Sequence, residues 1–97
     1  MKDEEKIQKC IELARAELDR AIKLHCWTTD PFVAMAVLGE EYGELQQAVL
    51  QHMFEGKPKH RIKAEAIQVA AMALRFLMNL DTYYYGKGKS EYEQGTE

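Results

Sequence analysis

The chain has 97 residues, of which 46% are hydrophobic and 30% are charged, a composition typical of one globular domain with one core. Its formal net charge of -3 provides no overall positive field to attract a nucleic acid polymer or an anionic membrane. The first six residues are too charged for a signal peptide, and no apolar run approaches bilayer length. We therefore expect a cytoplasmic protein that binds neither nucleic acid polymers nor membranes.

The first predicted helix covers residues 3 to 25. Its apolar residues recur at three- and four-residue steps, the period of one helix face, and charged residues occupy the other face. The residues on the apolar face are Ile7, Ile11, Ala14, Leu18 and Ile22.

The second predicted helix runs from Phe32 to Phe54. Asp30 or Thr29 fits the N-terminal cap, Pro31 fits the first helical position, and Gly56 is a plausible C-terminal cap. Gly43 lies inside this helix, where glycine costs up to ~1 kcal/mol relative to alanine. Close approach of another helix or of a ligand would explain it.

The third predicted helix runs from Lys59 to Tyr83 and is apolar nearly all round between Ile67 and Leu80. No segment shows the period-two pattern of a strand. Three helices with short connections predict an all-α antiparallel bundle in a single domain, residues 1–85, followed by a flexible tail, residues 86–97. Because three helices from a short chain cover the third helix poorly, we expect a homodimer or higher homo-oligomer to complete the bundle.

A cluster of glutamates on the second helix predicts a metal site. Glu41 and Glu40 lie three and four residues before Glu44, so the side chains share one helix face and repel each other. No Lys or Arg lies one turn away to offset the repulsion, whereas a bound cation would. On the third helix, Glu65 and Gln68 share a face and can meet Glu41 and Glu44 across an antiparallel pair. Oxygen ligands from two helices favour Mg²⁺ or Mn²⁺ over Zn²⁺.

The pattern Glu41-x-x-Glu44, followed on the next helix by Glu65-x-x-Gln68, resembles the signature of MazG-like nucleotide pyrophosphohydrolases, Glu-x-x-Glu and then Glu-x-x-Asp. The resemblance extends over residues 23 to 80. It implies an all-α, oligomeric enzyme that hydrolyses a nucleoside triphosphate to monophosphate and pyrophosphate. It also implies that Glu41, Glu44 and Glu65, with the Gln68 position, hold Mg²⁺. A glutamate not fully engaged by the metal, Glu40 or Glu44, would orient the attacking water as base.

Gln68 departs from the family pattern, which has aspartate there. A glutamine carbonyl is a poorer Mg²⁺ ligand than a carboxylate, and the site loses one negative charge. Weaker metal binding, one ion in place of two, and loss of catalysis are all compatible with this change.

Five residues are candidates for binding the substrate. Trp27 would stack on the base and His25 would hydrogen bond to it, although Trp27 would equally fit as a plug at the end of the bundle. Lys57 and Arg61 belong to a short basic run that could meet the triphosphate, or else form a solvated loop. Arg75 lies in an apolar helix, where it would either reach phosphate or form a structural ion pair.

Two other functions remain open from the sequence. The chain could be a catalytically weak or inactive nucleotide- or metal-binding protein on the same fold, as Gln68 suggests. It could also be a helical interaction module whose apolar third helix docks onto a partner protein.

Overall fold

A computed structural model describes residues 2–86 of the chain. They form three α-helices, α1 (Asp3–Leu24), α2 (Pro31–Glu55) and α3 (His60–Met78), followed by a 3-10 helix, Leu80–Thr82. No β-strand occurs between residues 2 and 86, so the predicted all-α class is confirmed. Across this range, no helix combines the length and apolarity that crossing a membrane requires. The predicted tail lies outside the described residues, apart from Gly86.

Both ends of α2 are set by local capping, as predicted. Pro31 is the first helical residue, and the Asp30 carboxylate accepts a hydrogen bond of 2.8 Å from the backbone N–H of Phe32. At the other end Gly56 has φ of 70°, the left-handed conformation that glycine adopts without strain.

The end of α3 was predicted wrongly, because the helix stops at Met78 and does not continue to Tyr83. The side-chain amide of Asn79 donates to the carbonyl of Arg75 at 2.8 Å, and the hydroxyl of Thr82 donates to the carbonyl of Asn79 at 2.8 Å. These bonds accompany the turn that directs Tyr83 into the protein, where it is fully buried.

The core lies where α3 packs against both other helices. No Cα atom of α1 lies within 8 Å of a Cα atom of α2, so these two helices are joined mainly through α3. Leu18 and Ala21 of α1 pack with Ala71 and Met72 of α3. Side chains that pack against this cluster are Trp27, Val37 and Leu38. Because α1 and α2 stand apart at the backbone level, space for a cleft remains between them.

Arg75 is the only charged residue that is buried among the described residues, with 5% of its surface exposed. Its guanidinium donates to the carbonyl of Ala21 at 3.2 Å and to the carbonyl of His25 at 2.6 Å. It also lies 4.9 Å from the centre of the Trp27 ring. A cation that donates hydrogen bonds to the carbonyls at a helix C-terminus stabilises that terminus. Arg75 therefore holds the C-terminal end of α1 against α3.

Tyr83 links the segment between α1 and α2 to the C-terminal end of α3 through hydrogen bonds. The indole N–H of Trp27 donates to the Tyr83 hydroxyl at 2.7 Å, and that hydroxyl donates to the carbonyl of Phe76 at 3.2 Å. The Trp27 ring is thereby held in one orientation.

More of the exposed large apolar side chains lie on α2 than on either other helix, whereas the sequence predicted the uncovered apolar surface on α3. Helix α3 packs against both other helices, although Leu74, Leu77 and Met78 remain exposed. A Cβ built on Gly43 of α2 meets no atom within 4 Å, so nothing in the described chain approaches this glycine. The predicted close approach therefore does not occur within one copy, and self-association stays a prediction.

Candidate metal centre and adjoining cleft

Three glutamates from two helices converge in the structure. Glu41 and Glu44 of α2 and Glu65 of α3 each place a carboxylate oxygen within 4.8 Å of the other two. The three-residue step along α2 places the first two on one face, and the packing of α3 on α2 brings the third to them. We call these three side chains the glutamate triad.

The triad carries an excess of negative charge. Burial raises the pKa of Glu41 above its ordinary value, and repulsion from Glu44 and Glu65, and then from Glu40 and Glu17, raises it further. A cation bound among the three carboxylates would offset the repulsion that raises the pKa of Glu41.

One arginine touches the edge of the triad. The Arg61 guanidinium lies 3.8 Å from the Glu65 carboxylate and also donates to the side-chain carbonyl of Gln51. This long, partly exposed pair offsets little of the repulsion, because surface ion pairs contribute weakly.

The donor set fits a hard divalent cation. All three groups are carboxylates, the ligands that Mg²⁺ and Mn²⁺ prefer, and no thiol or imidazole belongs to the triad. At about 2.1 Å per ligand, adjacent oxygens around octahedral Mg²⁺ lie about 3 Å apart, so the glutamates would need to move inward on binding.

Gln68 stands beside the triad and faces α1. The pKa of the Glu17 carboxyl is lowered chiefly by its hydrogen bond from Arg20 and further by one from the Gln68 side chain, against the opposing effect of burial. The Glu17–Arg20 ion pair has an N–O distance of 2.6 Å. The Gln68 side chain therefore lies near a carboxylate of α1, and its predicted role as a metal ligand stays a prediction.

A cleft of about 400 Å³ opens next to the triad, with walls from all three helices and from the segment between α1 and α2. Its apolar wall consists of Ala21, Trp27, Val33, Val37 and Met72. Its polar side chains are Glu17, Arg20, His25, Thr28, Glu41, Gln68 and Arg75, together with Cys26. Glu41 belongs to both the cleft and the triad, so the two are contiguous.

The predicted substrate-binding residues fall into two groups. His25, Trp27 and Arg75 line the cleft, whereas Lys57 and Arg61 do not. Lys57 lies in the connection between α2 and α3, and Arg61 contacts Glu65 of the triad.

The bonds made by Arg75 are structural, but they are not the ion pair that was one of the two predictions for this residue. Its guanidinium contacts two backbone carbonyls and the Trp27 ring, and it pairs with no carboxylate among residues 2–86. Glu40, the other predicted base, is exposed and lies outside the triad.

Glu17 and Arg20 were not recognised from the sequence, yet both line the cleft. The available signal was spacing: Glu17 follows Ala14 by three residues and precedes Ala21 by four, so it lies on the packed face of α1. A charged residue within an apolar stripe is a candidate for a polar contact.

Comparison with protein-family models, with curated proteins and with solved structures finds no match to this chain. The functional argument therefore depends on the residues of the triad and the cleft.

Proposed function

We propose that this protein hydrolyses a nucleoside triphosphate to the monophosphate and pyrophosphate in the cytoplasm, with Mg²⁺ as cofactor, in the manner of MazG-like enzymes. The observation that supports the proposal is the convergence of Glu41, Glu44 and Glu65 beside an apolar cleft. An antiparallel bundle that self-associates is part of the same proposal.

The metal would be held by Glu41, Glu44 and Glu65, with the side-chain carbonyl of Gln68 as a further oxygen donor. When bound, Mg²⁺ or Mn²⁺ would supply positive charge to balance the phosphate oxygens and the triad. The raised pKa of Glu41 supports this role, because its causes include charges that a cation would neutralise.

In the proposed reaction, a water oxygen forms a bond to a phosphorus of the triphosphate while the bond to the bridging oxygen between the α- and β-phosphates breaks. Pyrophosphate leaves, and a carboxylate accepts the proton of the water. Glu44 or Glu40 would be this base, as the resemblance implies. Glu44 belongs to the triad that would hold the metal, whereas Glu40 precedes it on α2 and lies outside that set, so both stay candidates for the base.

The cleft would bind the nucleoside. Its apolar wall, with the Trp27 ring held by Tyr83, suits a flat heterocycle, and the Glu17 carboxylate and the Gln68 amide offer hydrogen-bond partners to its edge. Because Glu41 belongs to both the cleft and the triad, a nucleotide whose base lies in the cleft would have its triphosphate beside the triad.

A pyrophosphate-release screen over common and damaged nucleotides, with Mg²⁺ and with Mn²⁺, tests the proposal directly. We expect activity on at least one nucleotide and its loss in Glu41→Gln and Glu44→Gln. Glu12→Gln, a change of an exposed glutamate on α1, is the matched control and should retain activity. Full activity in both triad variants would refute their assignment.

A second candidate function is nucleotide or metal binding without turnover, which the neutral Gln68 favours. The variant Gln68→Asp restores the family residue, and a large gain in turnover would show that the natural site is attenuated. If neither form hydrolyses any nucleotide while Mg²⁺ binding, measured by calorimetry, is retained, binding without catalysis is the better description.

A further inference from the structure

The outer face of α2, on the side away from α3, carries a long apolar surface. Its large side chains are all more than half exposed, and they are Phe32, Met35, Tyr42, Leu50, Met53 and Phe54. The two phenylalanines are 77% and 76% exposed. Helix α2 contains no Lys or Arg, and its glutamates lie off this face or at the helix end.

The size of this face matches half of a stable protein interface. At 150–250 Å² for a whole aromatic side chain, the three aromatic residues expose on the order of 400 Å². Two methionines and a leucine extend the patch, which brings it toward the ~800 Å² that each partner of a standard interface buries. The largest apolar patch on a typical monomer is about 300–600 Å².

Two glycines one turn apart lie in the middle of this face. A Cβ built on Gly39 or on Gly43 meets no atom within 4 Å, so no contact within the described chain requires a glycine there. Glycine weakens a helix interior, but it allows another backbone to approach closely. An approach from outside the chain accounts for both residues.

Two pairs of residues on this face are placed symmetrically about residue 41. Phe32 and Leu50 are equally far from residue 41 in the sequence, and so are Gly39 and Gly43. In an antiparallel pair of identical helices related by a two-fold axis, residues equidistant from the crossing point lie opposite each other. A pair of α2 helices would thus place glycine against glycine at the crossing and Phe32 against Leu50 on either side.

We propose that a second copy of this chain docks on the outer face of α2, and that the two α2 helices cross at Gly39 and Gly43. The sequence predicted self-association from α3, whereas this contact is on α2 and does not depend on the proposed enzymatic function. The exposed area approaches what each subunit of a stable dimer buries, and the two glycines allow two copies of α2 to approach closely where they cross.

Sedimentation equilibrium of the full chain over a concentration series measures this association. We expect a dimer, and we expect Leu50→Glu to weaken it by at least about tenfold, because a charge would be buried without a partner. Leu24→Glu is the matched control on α1, since Leu24 is 58% exposed and Leu50 is 55% exposed. The control should dimerise like the wild type.

Gly43→Ala tests the crossing point without the risk of unfolding. Alanine favours the helix, so circular dichroism should show full helicity, while the added methyl groups at the crossing should weaken dimerisation by about tenfold. A wild-type chain that stays monomeric at all concentrations overturns the proposal. So does a dimer that Leu50→Glu and Gly43→Ala leave unchanged, or one that Leu24→Glu disrupts equally.

Discussion

Replacing Glu41 by glutamine should stabilise the metal-free protein and abolish its response to Mg²⁺. The change keeps the shape of the side chain and removes one of three charges whose oxygens lie within 4.8 Å of one another. At that distance a pair of like charges costs about 1 kcal/mol at the dielectric constant of water and about 3 kcal/mol at an effective value of 20.

Glu41 takes part in two such pairs, with Glu44 and Glu65. Because the triad is partly open to solvent, the lower limit applies, and we expect the free energy of unfolding to rise by about 1–2 kcal/mol in Glu41→Gln. Urea denaturation in EDTA measures this difference.

Magnesium should reverse the order of stability. At a free concentration 100 times the dissociation constant, a ligand of the folded state stabilises it by about 2.7 kcal/mol, which wild type should gain and Glu41→Gln should not. Glu40→Gln, one residue away and outside the triad, is the control and should keep the response to Mg²⁺. A Glu41→Gln variant that is less stable than wild type in EDTA would refute the charge repulsion in the triad. A variant that gains as much stability from Mg²⁺ as wild type would refute cation binding by Glu41.

Three further predictions concern stability. Arg75→Met should lower the free energy of unfolding, measured with urea, by about 3 kcal/mol, because two charge-assisted hydrogen bonds to the carbonyls of Ala21 and His25 are lost. A loss below about 1 kcal/mol would contradict the inference that Arg75 stabilises the packing of the α1 C-terminus on α3. In EDTA, the advantage of Glu41→Gln over wild type should shrink as pH falls from 7 toward 4.5, because Glu41 has a raised pKa and its repulsion disappears when it is protonated. The lowered pKa of Glu17 acts in the opposite direction, since its stabilising contribution is lost as pH falls below 4.5. Both proteins contain Glu17, so the difference between their thermal melts across this range isolates the effect of Glu41. A difference that stays constant with pH would refute the prediction. Tyr83→Phe should cost about 1–2 kcal/mol and shift the fluorescence of Trp27, the one tryptophan, because the indole N–H loses its partner; an unchanged spectrum would show that the bond does not persist in solution.

Features that depend on a few neighbouring residues could be predicted from the sequence. The start of α2 follows from Asp30 and Pro31, and its end follows from Gly56, because capping is completed within one turn of the chain. Helical periodicity likewise predicted the all-α class. The spacing of Glu41 and Glu44 placed two members of the triad on one face before any packing was known.

Features that depend on contacts between distant residues required the tertiary structure. The end of α3 at Met78 belongs to a turn that buries Tyr83 against Trp27, which is 56 residues away in sequence. The bonds of Arg75 to the end of α1 and the place of Glu17 in the cleft depend equally on how α1 packs against α3.

The triad shows how the two kinds of information combine. Spacing along α2 brings Glu41 and Glu44 together, but only the packing of α3 on α2 brings Glu65 within 4.8 Å and leaves Glu40 outside. Periodicity states which residues share a helix face, whereas the rotation of each helix against its neighbour is set by the fit of the side chains between them. For that reason the sequence identified candidate carboxylates, and the packing of the three helices decided which of them meet.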